Sequence, residues 1–183
     1  MNYQKLFFLT FIFVAIFNGC STKGKNQPIK NINNELNLLQ NKIIQNCQAK
    51  NKKDQNGSIF IKIKNNTLEI NLNNKSDFRN GSYVLSQGSK EKLYCIIPVV
   101  KEKKGLFILI TGHANDNKNS RANQHLSDNR AISLAELFFN EGIRDEMFAK
   151  GCSDKSSLKT DKINRQINIY IYTNRSNITS NCK

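Results

Sequence analysis

Polar side chains that could carry out binding or catalysis are concentrated in one stretch of eighteen residues, which contains His113, Asn115, Asp116, His125 and Arg130. Histidine is the usual proton acceptor near neutral pH. Neither histidine has a serine, cysteine or carboxylate at the spacing of a catalytic triad or a metal site. The stretch therefore predicts a binding site rather than an enzyme, with no catalytic residue, metal or other cofactor.

Hydrophobic periodicity indicates the elements that position this stretch. Apolar residues either alternate with polar ones, as in half-buried strands, or recur every three to four residues, as in amphipathic helices. The resulting order, β-β-α-β-α-β after a first helix, is typical of an α+β fold with helices packed against a mixed sheet. The predicted segments are helix 34–49, strands 59–63 and 68–72, a helix capped by Ser89 and kinked or shortened by Pro98, strand 106–110, helix 127–141, and strand 167–172.

Local signals define the turns beside these elements. Asn65-Asn66 separates the first two strands, and asparagine tolerates the positive φ of a tight hairpin. A polar loop, residues 112–124, precedes Ser127, which is a favourable N-cap residue, and Asp128 then falls in the first helical turn. Gly142 is a typical stop signal for that helix.

The first twenty residues resemble an export signal. Lys5 precedes an apolar run from Leu6 to Phe17, which is short for a membrane span, and Gly19-Cys20 follows it. We predict that a lipoprotein signal peptidase removes residues 1–19 and that Cys20 is acylated. An uncleaved anchor helix or an ordinary signal are the alternatives. Ser21 favours sorting to the outer membrane, as in lipoproteins generally.

Four cysteines follow Cys20, and an even number in an exported chain predicts disulfides because the periplasm is oxidising. Four cysteines allow three pairings. Of these we favour Cys47–Cys95 together with Cys152–Cys182.

The chain carries a formal net charge of +14. A strongly basic protein commonly binds nucleic acid or an anionic surface. Export argues against nucleic acid, so anionic wall polymers and lipid head groups are the nearer partners. A composition rich in asparagine and lysine that only keeps the surface soluble is an equally consistent interpretation.

Two segments together resemble the OmpA-like (OmpA/MotB C-terminal) family. They are Gly112-His113-Ala114-Asn115, where the family has GHTD, and Asn123-Gln124-His125-Leu126-Ser127-Asp128-Asn129-Arg130-Ala131, which matches its NxxLSxxRA in full. Phe78 with Gly81-Ser82, and Asn164-Arg165, fit further family positions. The resemblance covers residues 58–173. It implies a β-α-β-α-β OmpA-like sandwich with a mixed sheet.

The resemblance also implies a ligand, the diaminopimelate residue of the peptidoglycan stem peptide. In the family an Arg holds its carboxylate and an Asp holds its ammonium, and these positions fall on Arg130 and Asn115. A guanidinium can meet a carboxylate with two parallel hydrogen bonds, whereas the Asn115 amide brings no negative charge. We expect Arg130 at N3 of its helix, with the helix N–H groups beside the ligand. The other expected site residues are Asp116 as a substitute for Asn115, Asn123 as a brace, and Leu126 and Phe78 as apolar contacts.

The expected protein is an outer-membrane lipoprotein whose domain faces the periplasm and binds peptidoglycan, with dual acylation making the membrane anchor stable. Its expected parts are a signal peptide (1–19), a flexible tether (20–33), an amphipathic helix and turn (34–57) and an OmpA-like domain (58–183). Three alternatives remain open. They are a subunit that docks a secretion or motor complex to the wall through envelope proteins, an OmpA-fold structural protein without the ligand, and an electrostatic binder of anionic lipid or polysaccharide.

Overall fold

The computed structural model describes residues 29–50, 59–72, 77–115, 119–153 and 166–178, together with Cys182. The predicted signal peptide, Cys20, Asp116 and Arg165 lie outside the described residues. Within the described part of the chain, no helix is both long enough and apolar enough to cross a membrane.

The first helix, α1 (Ile29–Lys50), packs on the second, α2 (Gln87–Glu102), and on the first hairpin. Its buried stripe is made of the residues whose spacing predicts the helix, Leu36, Leu39, Ile43 and Cys47. The helix begins five residues earlier than predicted, so residues 29–33 are helical rather than part of a flexible tether. The stripe shares one core with the sheet. Thus α1 belongs to the folded domain instead of preceding it as a separate segment.

A hairpin of two antiparallel strands follows, β1 (Phe60–Lys64) and β2 (Thr67–Asn71). The turn between them contains Asn65 and Asn66, with φ values of 50° and 56°. Two successive positive φ values are typical of the tight turn that matches the twist of antiparallel strands. The predicted hairpin and its asparagine turn are confirmed.

Three further strands, β3 (Phe107–Gly112), β4 (Glu146–Gly151) and β5 (Ile167–Tyr172), complete a five-stranded sheet. The strand order is β1-β2-β5-β3-β4; β3 and β4 are parallel and all other neighbours are antiparallel. The predicted α+β class with a mixed sheet is therefore confirmed. The predicted element order lacks β4. Its sequence, Glu-Met-Phe-Ala-Lys-Gly, neither alternates nor contains a β-branched residue, so pairing with β3 is what makes this segment a strand.

The other two helices start earlier than predicted. Helix α2 has Ser86 as its N-cap and continues past Pro98, and Ser89, the predicted cap, lies inside it. The third helix, α3 (Ser120–Asn140), has Asn119 as its N-cap, with Asn119 Oδ1 accepting from Arg121 N at 2.9 Å and from Ala122 N at 3.2 Å. It ends at Asn140 with Glu141 as its C-cap, and Gly142, the predicted stop residue, follows with a φ of 93°.

The two faces of the sheet differ. One face packs under the helices, where Ile108 and Ile110 of β3 join Ile167, Ile169 and Ile171 of β5 in the main core. The opposite face carries a smaller apolar cluster, defined by Leu109, Tyr170 and Tyr172, with Phe107, Phe148 and Ile178 packed against it.

Candidate functional site

The guanidinium of Arg130 is fully buried and joins three segments that are distant in sequence. Nε donates to Ser82 O at 2.9 Å, one terminal nitrogen donates to His113 O at 2.8 Å, and the other lies 3.5 Å from Arg79 O. The Phe78 ring lies beneath it, with 5.1 Å between the guanidinium carbon and the ring centroid. A rigid cation is thereby held where the loop after β3 meets the turn before α2.

Two glycines allow α3 to approach the sheet closely enough to place Arg130 there. Gly112 and Gly151 are register partners at the carboxyl ends of β3 and β4. A Cβ atom on Gly112 would lie 2.9 Å from Ala131 N and closer still to Ser127 O, and one on Gly151 would overlap Ser127 Oγ. Only glycine at both positions permits this contact between the helix and the strand ends.

Ser127 and Asp128 connect α3 to β4. The sequence predicts both residues at the start of a helix, and the structure places them inside α3 instead. Ser127 Oγ donates to Gln124 O at 2.8 Å and accepts from Ser153 N at 3.0 Å. Asp128 Oδ1 accepts from Gly151 N at 2.8 Å and from Gln124 Nε2 at 3.1 Å. These residues fix the orientation of α3 relative to the sheet edge.

The predicted placement of Arg130 at N3 of a capped helix is therefore wrong. Arg130 lies ten residues after the start of α3, because Asn119 caps the helix instead of Ser127. The unpaired N–H groups of a helix occur only in its first turn. Consequently, the α3 N-terminus is not beside Arg130, and the guanidinium is the positive group that the site offers.

His113 is buried and uncharged, because burial lowers its pKa from 6.5 to about 4. Asn71 Nδ2 donates to Asn168 Oδ1 at 2.7 Å, and Asn168 Nδ2 lies 3.1 Å from His113 Nε2. If the Asn168 amide donates to Nε2, the proton of the neutral imidazole is on Nδ1. The main chain of His113 has a separate role, since its carbonyl accepts the hydrogen bond from Arg130.

The predicted site residues are brought together in part. Phe78 contacts Arg130 directly, and Asn115 is half-buried two residues after His113. Asn123 and Leu126 are buried and lie seven and four residues before Arg130, on the same side of α3. Within the described residues, no group of three or more histidine, cysteine, aspartate or glutamate side chains could hold a metal ion.

Asp77 is a supporting residue that the sequence did not predict. It is fully buried beside Phe78, and its carboxylate accepts from Ser89 Oγ at 2.8 Å and from Ile167 N at 3.0 Å. These bonds connect the segment that carries Phe78 to α2 and to the start of β5. The sequence shows only that an acidic residue directly precedes the apolar Phe78. This pattern does not predict that the carboxylate is buried or that it bonds to Ser89 and Ile167.

Both disulfides favoured from the sequence are present in the structure. Cys47 and Cys95 join α1 to α2, with their Cα atoms 4.9 Å apart. Cys152 and Cys182 join the end of β4 to the C-terminal segment, with a Cα separation of 5.1 Å.

The comparison with known proteins matches the region that contains the candidate site. The model of the OmpA family matches residues 77–170, just over half of the chain. Outer membrane protein A of Buchnera aphidicola subsp. Schizaphis graminum is 32% identical over 104 residues, which are 55% of this chain and 30% of that protein. This chain therefore matches less than a third of the length of that relative.

Solved structures share the fold at low sequence identity. A MotB-like protein from Desulfovibrio vulgaris is 16% identical with a TM-score of 0.63, and the match covers 79% of this chain and 95% of that one. The cell wall anchor of the T6SS from Pseudomonas aeruginosa is 20% identical with a TM-score of 0.51, covering 70% and 95%. The periplasmic domain of Helicobacter pylori MotB (residues 90–256) is 16% identical with a TM-score of 0.54, covering 67% and 83%. These structures show a shared fold, and the matched family model shows that the chain belongs to the OmpA family.

Proposed function

We propose that this chain binds peptidoglycan non-covalently through the site around Arg130. The observation that carries the proposal is the rigid placement of the Arg130 guanidinium between the loop after β3 and the Arg79–Ser82 turn. These bonds keep the guanidinium in one orientation, and a planar cation in a fixed orientation is suited to bind a carboxylate. Membership of the OmpA family and a structural neighbour described as a cell wall anchor support the same class of function.

The ligand group that suits Arg130 is a carboxylate, and we propose the carboxylate of the diaminopimelate residue in the stem peptide. The contact with Arg79 O is the weakest of the three, because 3.5 Å is at the outer limit of a hydrogen bond. A ligand carboxylate could exchange for that carbonyl and form a shorter, charge-assisted bond. Only the Arg79 end of the turn would then move, while Ser82 O keeps its bond to Nε. Gly81, exposed with a φ of 65°, lies between the two residues.

Asn115 stands where the family has the aspartate that holds the ligand ammonium. An amide can accept a hydrogen bond from an ammonium group but supplies no charge. We therefore propose weaker binding than an aspartate at this position would give, by roughly ten- to a hundredfold in affinity for one charge-assisted bond. Asp116, the next residue in the sequence, is the alternative acceptor.

The test is retention of the full chain by purified peptidoglycan sacculi, with meso-diaminopimelate as competitor. We expect Arg130→Ala to abolish retention. Arg121→Ala is the matched control, because Arg121 is an exposed arginine in the first turn of the same helix. Asn115→Asp should retain the protein more tightly, and this gain cannot be explained by misfolding.

Two outcomes would contradict the proposal. One is that neither the wild type nor Asn115→Asp is retained by sacculi. The other is retention that persists in Arg130→Ala and falls steeply with added salt, which would indicate a general electrostatic binder of anionic polymers.

We further propose that Cys20 is acylated and tethers the domain to the outer membrane, so that the protein links this membrane to the wall. The motivation is the short apolar run that ends at Gly19-Cys20. Metabolic labelling with a palmitate analogue and membrane fractionation test this step. Label on the wild type but not on Cys20→Ala would support it, and an unlabelled wild type would rule it out.

A further inference from the structure

Two described residues after β5, Arg175 and Cys182, contact opposite ends of β4. At the start of β4, Arg175 forms an ion pair with Glu146 at 2.9 Å, and its guanidinium lies 6.0 Å from the centroid of the Phe148 ring. At the far end, Cys182 forms the disulfide with Cys152, the residue directly after β4. The chain after β5 is thus attached to β4 at both ends of the strand.

One described residue after β5, Ile178, packs on the sheet face that the helices leave uncovered. Ile178 contacts the apolar cluster of Leu109, Tyr170 and Tyr172. Those three side chains are only 4%, 9% and 0% exposed although they lie on that face. The contact of Ile178 with this cluster buries apolar surface, which favours its position there.

The disulfide lies beside the backbone that carries the site. Cys152 N donates to Gly112 O at 2.9 Å, and Ala114 N donates to Ser153 O at 3.3 Å. Ser153 N donates in turn to Ser127 Oγ at 3.0 Å. Residues 152 and 153 therefore contact both parts of the site, the loop leading to Asn115 and the helix bearing Arg130.

The backbone of Ser153 adopts a conformation that needs external support. Its φ is 47°, in the left-handed region that non-glycine residues seldom occupy. Such a conformation is unfavourable for a residue with a Cβ atom and persists where surrounding contacts hold it. A covalent link at the preceding residue is a contact of that kind.

We propose that the Cys152–Cys182 disulfide is a positioning element for the ligand site. It fixes the turn at Ser153, and this turn holds the loop leading to Asn115 at the correct distance from Arg130. The consequence for ligand affinity rests on the peptidoglycan-binding function proposed above. The consequence for the loop itself does not.

The test breaks each disulfide in the full chain in a matched way. Cys182→Ser removes the partly exposed partner and keeps the buried Cys152 side chain in place. Cys47→Ser is the control, since it breaks the α1–α2 disulfide and leaves the buried Cys95. A second variant, Cys152→Ala with Cys182→Ser, lacks both thiols of this disulfide. Neither can then form a wrong disulfide with another cysteine.

The first readout is hydrogen exchange of the Ala114 and Ser153 amides, measured by NMR relative to the amides of β2. We expect selectively faster exchange at these two amides in Cys182→Ser and in the double variant, but not in Cys47→Ser. The second readout is retention by sacculi. We expect it to be roughly three- to tenfold weaker in Cys182→Ser, the effect of having to order one or two more groups on binding.

The outcomes separate this inference from the proposed function. If Ala114 and Ser153 exchange at the wild-type rate relative to β2 in both Cys182 variants, the positioning role is wrong, whatever the sacculi show. Selectively faster exchange supports the positioning role even if the wild type is not retained by sacculi, a result that would overturn only the proposed function.

Discussion

Arg130 has a side chain that is normally excluded from protein interiors. Burial of a guanidinium is tolerated when its donors are satisfied, and here Ser82 O, His113 O and Arg79 O supply acceptors. All three are backbone atoms, so the position of the cation is set by the path of two loops. A change in either loop would therefore move the charge.

His113 gives a test of the site at the scale of one residue. Its pKa is about 4 in the folded chain, below the ordinary 6.5, so the unfolded chain binds a proton first as pH falls. Stability should therefore be complete above pH 6.5 and be lost progressively towards pH 4. Between pH 7 and pH 5 we expect the free energy of unfolding to fall by about 2 kcal/mol from this group. Urea denaturation at several pH values measures it.

The control for this pH dependence is the other histidine. His113→Gln should flatten the decrease between pH 7 and pH 5, whereas His125→Gln, at an exposed position in α3, should leave it unchanged. An undiminished decrease in His113→Gln would mean that other groups cause it.

At the scale of elements, the contact between α3 and the ends of β3 and β4 determines the site. The contact is close because Gly112 and Gly151 have no side chains. Ser127 and Asp128 then hydrogen-bond to Ser153 and Gly151. Two strand ends and one helix thus meet without an intervening side-chain layer, which is why Arg130 reaches the loop after β3.

Adding one methyl group should disturb this contact. We expect Gly112→Ala and Gly151→Ala each to lower the free energy of unfolding by about 1–3 kcal/mol, the usual cost of overpacking. Each should also weaken retention by sacculi, because α3 must shift. Thermal and urea denaturation give the stability change.

Gly88→Ala is the matched control for this prediction. Gly88 lies in α2, and beyond its chain neighbours and the adjacent helix backbone no atom lies within 4 Å of the position that a Cβ atom would take. The substitution should raise stability by about 0.5–1 kcal/mol through helix propensity. Equal effects at Gly88 and Gly112 would show that the close contact is not a constraint.

At the scale of the whole molecule, each terminal part of the described chain is fixed by one disulfide. Cys47–Cys95 ties α1 to α2, and Cys152–Cys182 ties the C-terminal segment to the end of β4. The ion pairs between α1 and α2, Lys42–Glu102 at 3.7 Å and Lys103–Glu35 at 3.6 Å, are exposed and contribute little. The burial of the apolar stripe of α1 and the Cys47–Cys95 disulfide therefore stabilise the packing of α1 on α2.

Removal of the first disulfide should affect stability and not binding. A disulfide that closes a loop of 48 residues restricts the unfolded chain, and the chain-entropy relation gives about 4 kcal/mol at 25 °C. We expect Cys47→Ser/Cys95→Ser to lower the free energy of unfolding by up to that amount. Retention by sacculi should be unchanged, because α1 contacts α2 and the hairpin. Weakened retention at a temperature where the variant is folded would show that α1 contributes to the site.

The sequence by itself determined the α+β class, the hairpin turn at Asn65-Asn66 and the apolar stripe of α1. It also predicts Arg130 as the central residue of the candidate site. These features depend on local periodicity, on the φ preference of asparagine and on a contiguous motif, all of which are readable along the chain.

Only the tertiary structure decided the remaining features. Strand β4 forms because it pairs with β3. Asn119 and Ser127 are both favourable N-cap residues, and the structure decides between them, because α3 begins after Asn119. The burial of Arg130, the supporting bonds of Asp77 and the contact of Ser153 with both halves of the site join residues that are far apart in sequence. Such contacts depend on how elements pack, and no local pattern encodes them.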